Sequence, residues 1–527
     1  MVGIEQFMSL LSRGELEDMR KIGLVDCWTR KYGPCRIGLT EIARDPDVSP
    51  LEHTNDDDDL GPLVAFEVFV SLTKTRPNSS AGLRTRDPLR VPAKLDVSRA
   101  VELARKWASE CIQEHQCLTK NSVPLPKRVL DVSSSADNQI KLVTSEGEAG
   151  PYAALSYCWG AAKAIPKTTS SNLEQRHNGI AWSQLPRCFQ DTILLCRALG
   201  LRYLWIDALC IIQDSKEDWE VESAKMANIY SSAYLTISAT SCLDPSMSLF
   251  ADRRVYTVLD TAAYSGSAYP SLPYVTCVEY EKRLFEFKHD TGTAHWRIME
   301  PGISGLNEHR FAKTPDAPLL TRGWVCQERL LSARILYFHG EEMMWECRSG
   351  VRCECGVLDD DDTADINRPY QVWRRRLKES FAEALSPYAD TQILRETWMD
   401  VVLRFSQLNL SYESDRLPAL SGLAAQFADR NIGEYYAGIW TSMFPASLMY
   451  DLNPGPGLRD ARSYMPNKEK YAPSWSWASL PLMGQNSVNY NWSKPRFFKS
   501  GCPSFTVISV SGGALGKILS GRSKMQC

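Results

Sequence analysis

The sequence predicts an α/β fold built on a mainly parallel sheet, and three stretches carry that expectation. Residues 200–239, GLRYLWIDALCIIQDSKEDWEVESAKMANIYSSAYLTISA, give an apolar strand ending in an acid, a turn, an amphipathic helix and a second apolar strand. That is one strand, helix, strand unit, and a right-handed crossover makes its two strands parallel. Upstream, YAALSYCWG at 152–160 is a short apolar strand ending at a glycine. Downstream, residues 323–347 give a helical segment and then two strands joined by the turn HGE.

Taken in order, the chain divides into a mainly helical region over 1–125, a central α/β domain over 150–350, and a mixed helical and β region over 351–527. The polar, Pro- and Ser-rich stretch at 76–92 reads as a linker or exposed loop. From Asp96 to Cys117, Val97, Ala100, Val101, Ala104, Trp107, Ala108 and Cys111 recur at helical spacing and line one face. PKRVLDVSSSADNQIKLVTSE at 126–146 alternates about a Ser/Asp/Asn turn and reads as a hairpin.

LPRCFQDTILLCRALG, 185–200, places Pro186 at the start of a helix and Gly200 at its end. In the next helix Asp214 or Ser215 serves as N-cap, with Asp214 preferred, and Trp219, Ser223, Met226, Ala227 and Tyr230 form the expected core face. Residues 241–320 read as a long insertion with strands near 274–280 and 283–287. The acidic runs Asp56 to Asp59 and Asp359 to Asp362 are solvated loops.

Composition excludes several classes. With 60 basic and 63 acidic side chains and a net charge of -3, nothing draws the chain onto nucleic acid or an anionic membrane. No apolar run reaches the roughly 18 residues that a membrane span needs, and the N-terminus lacks the pattern of a signal peptide. The expectation is a soluble, cytoplasmic protein. Its 16 cysteines are read as reduced thiols packed as small hydrophobes. Two groups are candidate metal ligands: Glu110, Cys111, His115 and Cys117, and Cys347, Cys353 and Cys355 with only His339 nearby. Neither spacing fits a common zinc pattern, so packing is preferred and no metal is expected.

With these segments in hand, the chain resembles fungal heterokaryon incompatibility (HET) domain proteins. The resemblance rests on YAALSYCWG, on residues 185–239, on RGWVCQERLLSARILYF with MMWEC, and on the flanking WASECIQEHQC, PKRVLDV, SYESDRLPALSGLA and PSWSWAS. It implies a role in vegetative incompatibility, a self/non-self response ending in programmed cell death, with a protein partner or self-association. Ser248 departs from the pattern, standing where glycine is usual, and the end after Trp492 is short. HET domains are remotely similar to TIR domains, which implies a flavodoxin/TIR-like sheet. In that likeness Trp324 to Glu328 resembles the W-x3-E helix whose glutamate serves NAD cleavage.

The chemistry follows two lines. Glu328 and Asp207 are the candidate catalytic carboxylates, with Tyr157, Trp159, Gly160 and Trp324 as candidate ligand-binding residues and NAD, or a related small nucleotide, as the candidate substrate. A carboxylate near a ribose would stabilise an oxocarbenium-like transition state. The plainer alternatives are that Glu328 pairs with Arg322 or Arg329, that Asp207 caps the next turn, and that the domain is a signalling module. A HET scaffold recruited to metabolism is a weaker third reading. Ser156 lacks the G-x-S-x-G elbow and a histidine partner, and Gly160 alone is no dinucleotide fingerprint, so a hydrolase triad and a Rossmann dehydrogenase are disfavoured.

Overall fold

The computed structural model describes residues 91–252, 317–354, 377–453 and 471–490, apart from gaps at 93, 116, 118–122, 134–139, 161–164, 341, 431, 445, 449, 474 and 481–486, and the backbone of six further strands. Most of the 76–92 linker, both acidic runs, Cys355 and the chain after residue 490 lie outside the described residues.

The main sheet has eight strands: β1 (Arg128–Asp131), β2 (Lys141–Thr144), β3 (Tyr152–Ser156), β4 (Tyr203–Trp205), β5 (Leu235–Ser238), β6 (Arg334–Phe338), β7 (Met343–Cys347) and β8 (Val351–Cys353). Their spatial order is β8-β7-β6-β5-β3-β4-β1-β2. Pairing is parallel across β6-β5-β3-β4 and antiparallel at both margins. The sheet is therefore mixed rather than mainly parallel. The cause is loop length: the short connections after β1, β6 and β7 can join only antiparallel neighbours.

The predicted hairpin at 126–146 is β1 and β2, and the two strands of the 200–239 unit are β4 and β5, with β3 inserted between them. Every residue of β3 and β5 is buried, as continuous apolar strands in the middle of a covered parallel sheet should be. The chain leaves β3 to form β4 on one side and β5 on the other. The carboxyl ends of β3 and its neighbours thus flank a point where the winding reverses, and ligands of open α/β sheets bind at such points.

Helix α1 (Val97–Glu110), started by the Asp96 side chain accepting from the Arg99 amide at 2.8 Å, packs on α2 (Arg187–Leu199). Gly200 ends α2 at φ 81°, a conformation that a side chain disfavours. Pro186 sits one residue before α2 rather than inside it. Helix α3 (Lys216–Ser232) packs on α4 (Gly323–Leu331). Its N-cap is Ser215, whose hydroxyl accepts from the Asp218 amide, while Asp214 accepts instead from Ser170.

The expected core face of α3 needs a second correction. Trp219 is 43% exposed, and the buried positions are Asp218, Glu222, Ala227, Ile229 and Tyr230. The helix buries two acids because Arg128 and Lys127 pair with Asp218, and Lys225 lies 3.0 Å from Glu222.

A second core joins α4 to α5 (Leu377–Ala384), α6 (Thr391–Phe405) and α7 (Pro418–Ala428), with Trp398, Trp440 and Trp477 at its centre. Two short strand pairs, Tyr435–Tyr436 with Ile439–Trp440 and Tyr450–Asn453 with Ser487–Tyr490, complete the mixed C-terminal region. Gly422 of α7 lies against Ala227 and Gln327, where a methyl group would collide with both, and its amide donates to Gln327 Oε1 at 3.1 Å.

Before residue 125, where a mainly helical region was expected, the described residues hold strands as well as α1. Strands Leu24–Trp28, Cys35–Leu39 and Val64–Leu72 pair with Thr276–Cys277, Leu284–His289 and Gly292–Met299 from the insertion in a six-stranded antiparallel sheet. VAFEVFVSL is rich in the β-branched and aromatic residues that favour such pairing. Among the described residues no helix is long and apolar enough to cross a membrane.

Candidate functional site

Polar side chains converge where β3 and β4 end. Ser156 is the last residue of β3, Asp207 follows β4 at the start of the short helix Asp207–Cys210, and Glu328 projects from α4. The elements that deliver them are mostly buried, while Tyr157 and Trp159 come from the irregular stretch just after β3.

Asp207 is held by three donors. Tyr157 Oη and Trp159 Nε1 each donate to it at 2.8 Å, and the Ala208 amide donates at 2.6 Å. The amide contact is to the next residue inside the short helix, whose N-cap is Ile206. Burial pushes its carboxyl above the usual value while the donors pull it back. Burial and the neighbouring Asp207 charge likewise hold the Tyr157 phenol well above its ordinary range.

Glu328 is buried, 9% exposed, and accepts from the Ser156 hydroxyl. The Tyr230 hydroxyl donates to the Leu155 carbonyl at 3.2 Å and also lies near the Glu328 carboxylate. Burial raises the Glu328 carboxyl to about 7, against the opposing effects of the Ser156 hydrogen bond and the Arg322 charge. Both of its protonation states are therefore populated near neutral pH, the condition for an acid or base that exchanges a proton there.

The sequence-chosen residues do not all meet. Tyr157, Trp159 and Asp207 form one hydrogen-bonded group, and Arg322 donates to the Tyr157 carbonyl at 3.1 Å. Trp324 turns elsewhere: its indole donates to Asp415 at 3.2 Å and its ring packs on the second core. Gly160, at φ 65°, is covered by the Leu243 carbonyl and Asp244, which a side chain there would strike. Arg329, considered as a partner for Glu328, binds Glu346 through two hydrogen bonds instead.

Sequence reasoning missed Tyr230 as a neighbour of Glu328 and set Ser156 aside, while Arg322, offered as a partner for Glu328, lies close enough for its charge to act on both carboxylates. Ser156 adjoins Tyr157 in LSYCWG, so the strand that offered one site residue had offered two. Tyr230 gave no signal beyond its apolar spacing. The departing residue Ser248 has a definite task, since its hydroxyl donates to the buried Asp191 at 2.5 Å.

An α/β domain with a buried acid, Glu328, and a half-buried one, Asp207, at the carboxyl ends of its parallel strands is the class that fold and site define. The family model described as heterokaryon incompatibility protein (HET) matches residues 152–328, from the first residue of β3 to Glu328 itself. Those residues are a HET domain. No curated protein matches the chain, and no solved structure does.

Proposed function

We propose that this HET domain is a signalling or effector module of vegetative incompatibility, or of a related non-self-triggered cell death, in a filamentous fungus. It acts in the cytoplasm through a protein partner or through self-association. The observation that carries the reading is that the site's polar groups are held by one another: Asp207 accepts from Tyr157, Trp159 and Ala208, and Glu328 accepts from Ser156. A site closed in this way serves a conformational role more readily than turnover of a bound ligand.

A second reading has its own observation. The four parallel strands follow the order 2-1-3-4 of flavodoxin-like sheets, and Glu328, with its carboxyl raised to about 7, stands at their carboxyl ends. This supports a TIR-like enzyme that cleaves NAD or a related nucleotide. With Trp324 committed to Asp415, any aromatic wall would fall to Tyr157 and Trp159.

The two readings separate in one experiment. Wild type and Glu328→Gln are expressed in cells while NAD is followed, and both purified proteins are assayed with NAD at high local concentration. Toxicity in both without NAD loss is the expected result. NAD consumption by wild type that the folded variant lacks would overturn the module reading in favour of the enzyme.

A further inference from the structure

Away from the carboxylates, Cys111, His115, Cys117 and Cys347 converge beside the main sheet. Their four candidate ligand atoms all lie within 4.8 Å of one another, and His115 Nδ1 is 3.3 Å from Cys347 Sγ. A tetrahedral zinc ion with Zn–S near 2.3 Å and Zn–N near 2.0 Å sets ligand separations of about 3.5–3.8 Å. The cluster needs only a small contraction to reach that geometry.

Three of the ligands come from one local distortion. At Cys111 the α-helix widens into a single π turn, Cys111–His115, and Cys117 follows two residues later. Such widened turns concentrate at functional sites because they re-aim side chains at a cost in helix geometry. The fourth ligand ends β7, and the turn after it closes on the same place. Ser349 Oγ lies 3.4 Å from Cys117 Sγ, and Arg348 donates to the Cys117 carbonyl at 3.2 Å.

Charge supplies an independent observation. Arg334 is 2% exposed, and its Nε donates to Cys111 Sγ at 3.3 Å while its guanidinium lies 5.0 Å from the Tyr234 ring centre. Among the described residues this buried cation faces a sulfur and a ring rather than a carboxylate. Three thiolates and one imidazole around Zn2+ carry a net charge of about -1, which a buried guanidinium would balance. Donors from outside the ligand set that orient the sulfurs are the usual companions of such a centre.

We propose that Cys111, His115, Cys117 and Cys347 bind a structural zinc ion that clips the end of α1 to the end of β7. Four protein ligands leave no open position, so the ion would hold structure and not perform catalysis. Both ligand segments lie outside the matched residues 152–328. The clip closes a long stretch of chain around them and makes α1 and β7 part of the same folded unit.

The test is the metal content of the full chain, purified under reducing conditions without chelator and measured by plasma mass spectrometry. One zinc per chain is expected, falling to background in Cys117→Ser and Cys347→Ser and retained in His115→Cys. Exchange with Co2+ should give the absorption of a tetrahedral thiolate-bound cobalt ion, lost in the serine variants. Folded wild-type protein that carries no zinc and gives no cobalt–thiolate absorption would overturn the proposal. So would full zinc occupancy in both serine variants, iron in place of zinc, or a disulfide joining two of the three cysteines in the purified chain.

Discussion

Glu328 and Glu346 are both buried, yet they behave oppositely. Glu346 receives two hydrogen bonds from Arg329 and one from Tyr337 at 2.5 Å, with Lys378 close behind, and these cations draw its carboxyl down to about 2. Glu328 receives a neutral hydroxyl, and burial drives it up to about 7. The same residue type is thus fixed as an anion in one place and held at the point of proton exchange in the other. What decides the outcome is whether a cation touches the carboxylate, since burial penalises the charge in both cases.

The largest expected effect is at Glu346. Glu346→Gln leaves Arg329 and the fully buried Lys378 without their counter-charge, and the loss should be about 3–5 kcal/mol at neutral pH. Its folded carboxyl lies below the unfolded value, so the contribution is present above about 4.5 and is lost as pH falls toward about 2. Urea unfolding of wild type and variant at pH 7 measures this. A loss below about 1 kcal/mol would erase the distinction between the two acids.

Glu328→Gln should act with the opposite sign. The folded carboxyl titrates above its unfolded value, so the native acid contributes stability fully below about 4.5 and loses it as pH rises through about 7. At pH 8 the variant is therefore expected to be more stable than wild type, by at most about 3 kcal/mol, and the difference should vanish below about pH 4. Unfolding midpoints across that range decide it. A variant less stable at pH 8 would show Glu328 to be a structural anion like Glu346.

This contrast was only partly legible in the sequence. Apolar runs and their spacing placed β3, β4, β5, α2 and α4, because burial is written along those segments, at every residue of β3 and β5 and at most of those in α2 and α4. Asp207 and Glu328 could be chosen as acids at the ends of apolar elements. Their partners could not be assigned: Arg329 adjoins Glu328 in sequence, yet helical rotation aims it at Glu346 on β7. The same limit hid the thiol cluster: the local Cys-x3-His-x-Cys segment was visible, and so was Cys347 beside Cys353 and Cys355, but not that Cys347, at the end of β7 far along the chain, meets that segment. The antiparallel sheet shared by 24–72 and 276–299 escaped for the same reason, since pairing across some 200 residues leaves no local trace.

Asp207 tests where a third acid falls on this scale. Among the described residues no cation hydrogen-bonds to it, and three neutral donors do. Tyr157→Phe removes a bond to a charged acceptor and should cost about 1.5–3 kcal/mol at pH 8 if Asp207 is ionised there, as its donors favour. A cost of a few tenths of a kcal/mol at pH 8 would place Asp207 with Glu328, as an acid whose proton rather than whose partner keeps it buried.

The smallest effect sharpens the comparison most directly. The Ser156 hydroxyl donates to Glu328 and so favours its charged form, opposing burial. Ser156→Ala deletes that donor and little volume, and its cost in stability should be only about 1 kcal/mol. Its effect on titration should be plainer: with the donor gone, the Glu328 midpoint moves above about 7, while Glu346 stays near the bottom of the carboxylate range. Isotope-edited infrared or carbon NMR titration of the glutamate carboxyls reads both groups in one sample. An unmoved Glu328 midpoint would mean that the hydroxyl is a spectator and that Arg322 and Tyr230 set the proton affinity; a raised one would identify Ser156 as the residue that tunes this acid.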